Sequence, residues 1–340
     1  MSQPRDAVAD LRRIAFLLER AHESTYRVRA FRTAVAVLGR RDADELARLV
    51  RSGELVGLKG VGAVTARCVA ESLAGVEPAY LRRLEAAEPT PLDEFAQALR
   101  TAIRGDCHSH TDASDGGSPL WEMVQTAREL GHDYLVITDH SPSLTVANGL
   151  SAQRLRAQIE QVAEVNVELG ESFRVLTGIE VDILDDGALD QDPDLLAELD
   201  VVVASVHSKL RMPRAQMTER MLTAVANPHV DVLGHCTGRR VTGDRRRPES
   251  EFDADAVFAA CAEYGVAVEV NSRPERLDPP KRLLRRAVEA GCSFTIDTDA
   301  HAPGQLDWLG AGCERAAACG VPAGRVLNTW PLDQLLTWCH

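Results

Sequence analysis

The stretch Tyr134-Leu-Val-Ile-Thr-Asp-His140 decides the fold: its apolar run has the length of a buried strand, and the chain leaves it on an acid and a histidine. The same grammar recurs in Val201-Val-Val-Ala-Ser-Val-His207, Asp231-Val-Leu-Gly-His235 and Ile296-Asp-Thr-Asp-Ala-His301. Strand candidates are Tyr134–Thr138, Phe173–Ile179, Val201–Ser205, Val230–Leu233, Val266–Val270 and Ser293–Ile296, preceded by a short one ending near Cys107. Helical stretches alternate with them, as in βαβ units joined by right-handed crossovers. The first strand is not followed by a dinucleotide-binding glycine fingerprint, so the pattern predicts an α/β fold closed into a (β/α) barrel rather than an open doubly wound sheet.

Six of the ten histidines lie just after these strands: His108 and His110 in GDCHSH, then His140, His207, His235 and His301. Acids take matching places: Asp115 in SDGG, Glu180 in VLTGIEVD, and Asp299 two positions before His301. Parallel barrel strands all end on one face, so these nine residues are expected to converge there as metal ligands. Imidazole and carboxylate suit Zn²⁺, Mn²⁺ and Fe²⁺, and nine such groups exceed the four of a closed structural zinc site, which implies more than one ion. Without cations, so many desolvated polar groups would be costly. His22, His132, His229 and His340 lack a neighbouring acid in the pattern and are assigned no role; Cys107 and Cys236 are expected to be buried beside the site.

Upstream of Arg104 the pattern is helical, with Val8, Leu11, Ile14, Ala15 and Leu18 at helical spacing, then Val28, Phe31, Val35 and Leu38. The net charge of −13 is uneven, because residues 1–105 carry 17 Lys and Arg against 14 Asp and Glu. A basic excess at the front of an acidic chain points to a polyanionic partner there. Glu88-Pro-Thr-Pro91 punctuates the chain, giving an expected helical domain over 1–90, a linker helix over 91–103 and a barrel over 104–340. The eight cysteines form no C-x-x-C pair, so neither a disulfide framework nor a zinc knuckle is expected. No apolar run approaches the roughly 18 residues of a membrane span, and the start does not read as a signal peptide, so the expected location is the cytoplasm with no membrane contact.

In the order H-x-H, D-H, E, H, H and D-x-H from His108 to His301, the chain resembles the PHP (polymerase and histidinol phosphatase) superfamily. The strings SVHSKL, GHCTGR, VEVNSRPERLD and RVLNTWPLDQL are most similar to the PHP domain of bacterial family X DNA polymerases. The resemblance implies a distorted (β/α)7 barrel holding three divalent ions, zinc or manganese, with iron also suited. Carried over, His108, His110, Glu180 and Asp299 would hold one ion, with Glu180 bridging to a second on His207 and His235. Asp115, His140 and His301 would hold a third. The expected attacking group is a metal-bound hydroxide bridged near Glu180, and Arg239, Arg273, Arg276 and Lys209 are candidates for the substrate phosphate.

Leu58-Lys-Gly-Val-Gly62 followed by AVTARCVAESLAG reads as a helix-hairpin-helix, whose glycine turn and helix start can face a phosphate. Residues 5–87 resemble the amino-terminal DNA-binding domain of family X polymerases. Lys59, Gly60, Gly62, Thr65 and Arg67, with Arg29 and Arg32 of the preceding TYRVRAFRTAV, are therefore expected to contact a DNA backbone. The chain departs from that family in three ways. Only about 16 residues separate Glu88 from Gly105, which leaves no room for fingers, palm and thumb and excludes polymerase activity. Asp42-Ala-Asp44 and Asp253-Ala-Asp255 have palm-like spacing but sit at helix starts, where Asp caps. Cys68 stands where some members carry a Schiff-base lysine, which disfavours a lyase.

The expected function is a metal-dependent phosphoesterase acting at DNA ends or lesions in repair, as a 3′–5′ exonuclease, 3′-phosphatase or abasic endonuclease. The alternative is a small-molecule phosphatase of the histidinol-phosphatase type. A catalytically silent DNA-binding protein is a third, weaker reading, since a dead site has no use for nine intact ligands.

Overall fold

Among the described residues, seven short parallel strands form one sheet in simple chain order, neighbour pairing with neighbour, as the expected (β/α)7 barrel requires. They are β1 (Gly105–Asp106), β2 (Tyr134–Ile137), β3 (Arg174–Asp182), β4 (Val201–Ser205), β5 (Val232–Leu233), β6 (Ala267–Asn271) and β7 (Phe294–Asp297). This computed structural model describes residues 3–87, 91–243 and 246–339, so Glu88 to Thr90 of the expected punctuation and His340 lie outside the described residues.

The strand alternation separates two apolar layers. Tyr134 and Val136 pack with Leu176, Val201, Val203, Val232 and Ala267 in one cluster. Leu135 and Ile137 pack with Leu120, Met123 and Val124 of the helix Leu120–Glu129. The carboxyl-terminal helix Leu332–Cys339 covers the first cluster through Leu335, leaving the opposite, carboxyl-terminal end of the strands for polar groups.

β3 is longer than expected because it serves two partners in succession. Arg174–Thr177 pair with β2, and Gly178–Asp182 pair with β4. Gly178 stands at the changeover, where a Cβ would come within 2.8 Å of both the Val201 carbonyl oxygen and Val136 Cγ1. Only glycine admits that approach. The extension carries Glu180 into the centre of the barrel mouth. The seam between β1 and β7 is bridged at Ser109 and Ala300. Below that bridge, Asn328 Nδ2 donates to the carbonyls of Gly105 (3.0 Å) and Ile296 (2.7 Å) and its Oδ1 accepts from Ile296 N (3.1 Å), stitching the nearly closed barrel.

The chain divides into two units, 1–91 and 92–340. The helix Glu94–Ala102 contributes Ala96 and Leu99 to the main core of the second unit. The first unit is all-helical. Helices Ala7–Arg20 and Thr25–Leu38 bury Leu11, Ile14 and Leu18 against Phe31, Val35 and Leu38. Asp6 caps the first, and Asp10 binds both Arg5 (2.8 Å) and the Ser72 hydroxyl (2.7 Å). Asp42 and Asp253 accept from Glu45 N and Ala256 N, the capping role expected of them. Among the described residues, no helix is long and apolar enough to cross a membrane.

Candidate metal centre

The Glu180 carboxylate sits among five imidazoles. Oε2 lies 2.9 Å from His140 Nδ1, 3.3 Å from His108 Nε2 and 3.6 Å from His110 Nε2. Oε1 lies 2.7 Å from His235 Nε2 and 3.2 Å from His207 Nε2. Local backbone explains the convergence: His108 and His110 are two apart and leave β1 on one face, while a parallel bridge joins His140 to Glu180. Asp299 Oδ1 faces His110 Nε2 at 3.4 Å, and Asp115 Oδ1 lies 3.5 Å from His140 Nε2 and 3.4 Å from His301 Nε2.

All nine expected ligands thus fall into four overlapping groups of mutually close donor atoms. These are His110 with Asp115, His140 and His301; His108 with Glu180 and His235; His108 with His110 and Asp299; and His140 with Glu180 and His207. The buried atoms His108 Nε2, His110 Nε2, His140 Nδ1, both nitrogens of His207 and His235, and both Glu180 oxygens make no hydrogen bond despite that proximity. So many orphaned donors and acceptors around one point are tolerable only with a cation among them, and divalent ions fit this oxygen and nitrogen set. Burial and the charges of His301 and His140 hold His110 well below the usual imidazole range, in its ligating, neutral form. Burial would raise Glu180, yet the surrounding imidazoles, His207 foremost, hold it well below the ordinary carboxylate range.

A supporting layer fixes these side chains. Glu269, fully buried on β6, lies 2.7 Å from His108 Nδ1 and accepts from the His235 amide. Asp182 accepts from His207 N at 3.1 Å, and Asp139 accepts from Thr111 N (2.9 Å) and Gln158 Nε2 (2.5 Å). Arg276 Nε binds Asp299 Oδ2 at 2.9 Å, and Arg273 Nη1 donates to the Asp299 carbonyl at 2.8 Å. That carbonyl, turned by the positive φ of Asp299 (52°), also lies 2.9 Å from His301 Nδ1, which faces Arg273 Nη1 at the same distance while Nε2 points toward Asp115. Glu269 and Asp182 are not among the residues expected from the sequence. Their signal was present in the alternation, since each is two residues from another polar residue on its strand, Asn271 and Glu180 respectively.

The four expected phosphate ligands are placed differently. Arg273 and Arg276 lie on the metal centre beside Asp299. Arg239 spends its guanidinium on the carbonyls of Arg276 (3.0 Å) and Leu277, and exposed Lys209 pairs with Asp185. In the first unit, Gly60 takes φ 95° and its missing Cβ would meet Thr33 Cγ2 at 2.7 Å, so the hairpin turn needs glycine. Thr65 is buried, its hydroxyl accepting from Gly62 N at 3.0 Å, and Arg32 grips Glu19 with two 2.7 Å bonds. Lys59, Gly60, Gly62, Arg67 and Arg29 are exposed. Exposed His22, half-buried His229 and buried His132 join none of the four groups. Cys107 and Cys236 are buried free thiols.

Residues 106–273 match the PHP domain family. The chain is 41% identical over 233 residues to the DNA polymerase/3′-5′ exonuclease PolX of Bacillus subtilis (strain 168), an alignment covering 68% of this chain and 40% of that protein. It is 28% identical over 236 residues to a probable phosphatase of Thermoanaerobacter sp. (strain X514), covering 66% of this chain and 89% of the relative. A probable phosphatase of Shewanella sp. (strain MR-4) is 29% identical over 241 residues, with 68% and 89% covered. Among solved structures, histidinol phosphate phosphatase from Lactococcus lactis subsp. lactis Il1403, crystallised with zinc, L-histidinol and phosphate, aligns at TM-score 0.47 and 20% identity over 65% of this chain and 94% of that one.

Proposed function

We propose that this PHP-superfamily phosphoesterase fold, a metal-dependent hydrolase, acts as a phosphatase that releases phosphate from the end of a phosphomonoester. The observation that carries the reading is the set of nine ligand side chains around Glu180 with their orphaned nitrogens and oxygens. His108, His110, His235 and Glu180 are fully enclosed, while the side chains of Asp115, His301 and His207 retain 35%, 19% and 10% exposure. Such a bowl suits a terminal phosphoryl group entering end-on better than a phosphate in the middle of a chain. The relatives of which nine-tenths of the length is covered are named as probable phosphatases, which supports the same reaction class.

In this reading His108, His110, Glu180 and Asp299 would hold one ion, Glu180 with His207 and His235 a second, and Asp115, His140 and His301 a third. Divalent ions in such sites polarise phosphoryl oxygens and lower the pKa of water. The protein's own groups supply the positioning. Glu269 keeps the His108 proton on Nδ1 so that Nε2 faces Glu180, and Arg276 keeps Asp299 ionised and aimed inward. Arg273, one bond from both Asp299 and His301, is placed to meet a phosphoryl oxygen at the open side. The test is elemental analysis of purified protein together with phosphate release from a panel of phosphomonoesters. Glu180→Gln is expected to lose both bound metal and turnover; retained turnover in metal-free Glu180→Gln protein overturns the reading.

A second reading, processing of DNA ends, is favoured by the 41% identity to a 3′-5′ exonuclease and by the exposed Lys59, Gly60, Gly62, Arg67 and Arg29 of a helix-hairpin-helix over residues 1–90. The Lys59→Ala, Arg67→Ala double variant should weaken binding to 3′-phosphorylated duplex DNA and flatten its salt dependence by about two charges. Unchanged affinity and salt slope would remove DNA from the account.

A further inference from the structure

The loop after β5 carries a basic group that the metal centre does not use. Arg240 exchanges both backbone hydrogen bonds with Arg247 (2.9 and 3.0 Å), and the next residue, Val241, donates to the Glu275 carbonyl at 2.7 Å. This ties the loop to the segment carrying Arg273 and Arg276. Arg247 is anchored by Nε to the Gly238 carbonyl at 2.7 Å, and Arg273 and Arg276 are held on Asp299. Arg240 differs from its neighbours. Its Nε is buried without a hydrogen-bond partner, as are those of Arg273 and Arg276, but where those two pair with Glu275 and Asp299 its guanidinium makes no ion pair among the described residues.

Burial and the charges of Arg276 and Arg273 lower the Arg240 pKa, with Glu275 and Asp299 opposing them. Burial, Arg276 and Arg240 push Arg247 down to about 10. The backbone ties Arg240–Arg247 and Val241–Glu275 bring this loop against the segment whose Arg273 and Arg276 sit on Asp299, so four arginines border one edge of the metal centre. Like charges assembled at that cost are relieved by an anion. Asp299 is committed to Arg276 and to the ligand group, Glu275 faces Arg273 Nε at 3.5 Å, and the scissile phosphoryl belongs over the metal ligands, so none of them pairs with Arg240.

We propose that Arg240, backed by Arg247 and Arg273, forms a second anion subsite at the rim of the metal centre, so that the preferred substrates carry another phosphate beside the phosphoryl group being removed. The inference rests on the phosphomonoesterase reading above and narrows its substrate class: a leaving group bearing a second phosphate is favoured over one bearing an amine. That phosphate has two chemical sources, a second monoester on a small molecule or the neighbouring diester of a nucleic acid strand.

Calorimetric binding of uncleavable ligands to the metal-loaded protein tests this without turnover. The ligands are propylphosphonate, propane-1,3-diphosphonate and a dinucleotide ending in a 3′-phosphonate. One added charge-assisted contact predicts that at least one doubly anionic ligand binds about 10- to 100-fold more tightly than propylphosphonate. Arg240→Gln should erase that advantage while leaving propylphosphonate affinity within about threefold, and Arg240→Lys should restore part of it. An advantage for the diphosphonate assigns the small-molecule source; one for the dinucleotide alone assigns the nucleic acid. Equal affinity for all three ligands in the wild type, or an advantage that survives in Arg240→Gln, overturns the subsite. Failure of the phosphatase reading would show separately, as no phosphate release from any monoester with the ligand ranking intact.

Discussion

Glu269 Oε1 and His108 Nδ1 face each other at 2.7 Å inside the barrel, both side chains wholly removed from solvent. The pair fixes which imidazole nitrogen points at Glu180, and the other Glu269 oxygen holds the backbone amide of His235, so one buried carboxylate orients two expected ligands. Such outer partners typically contribute 10- to 100-fold in metal affinity. Glu269→Gln keeps the shape but can present its NH₂ where an acceptor is needed. It is expected to weaken zinc or manganese binding by roughly 10- to 100-fold in a chelator competition titration. Unchanged affinity would mean that His108 is oriented by its backbone alone.

The seam of the barrel gives a stability prediction. Asn328 satisfies a donor and two acceptors of β1 and β7 where the two strands do not pair directly. Asn328→Ala strands those buried backbone groups, at a cost of about 2–4 kcal/mol. Denaturant unfolding should show a lower midpoint with an unchanged slope. A change under about 0.5 kcal/mol would mean that the seam is held elsewhere.

Much of this architecture was legible in the sequence because the barrel places chemistry where strands end. His140, His207, His235 and His301 follow apolar runs directly, so pattern and position coincide. Asn328 was hidden by its context. It lies outside any strand, in a short turn of residues 327–329, and acts across more than 200 residues of sequence on Gly105. Glu269 lies inside the apolar run Val266–Val270, where only its two-residue spacing from Asn271 marks it as facing the barrel interior. In the first unit, Arg32 looked like a free cation on a basic helix. Its partner Glu19 lies on the preceding helix, and only the packing of the two helices brings them together. The partners of Arg239 were hidden for a similar reason, since the carbonyls it binds belong to a loop 37 and 38 residues downstream.

The hairpin turn offers a local test in the first unit. Gly60 combines φ 95° with a 2.7 Å approach between the absent Cβ and Thr33 Cγ2. Gly60→Ala incurs both the backbone strain and the displacement of Thr33, about 1–3 kcal/mol together. Hydrogen exchange of amides in the helix Ala63–Leu73 should accelerate in the variant. If their protection matches the wild type, the turn tolerates a side chain and the geometric requirement for glycine fails.

At the base of the barrel, Asp231 accepts a 2.7 Å hydrogen bond from Val202 N, and burial pushes its carboxyl up to about 7 against that bond. The folded protein therefore keeps a proton on Asp231 in the window from about pH 4 to 7, where the unfolded chain has released it. With more protons bound to the folded state, stability falls as pH rises through this window, and the contribution is fully present only below about pH 4. Asp231→Asn retains an oxygen that can accept from Val202 and never ionises. Its stability should match the wild type near pH 4 and exceed it by roughly 1–3 kcal/mol at pH 8. That is less than the about 4 kcal/mol of three full pKa units, because the side chain retains partial solvent contact. Urea unfolding at pH 4.5, 6 and 8 measures the divergence. Parallel curves for the two proteins across that range would show that Asp231 is ionised throughout and that its burial carries no pH-dependent cost.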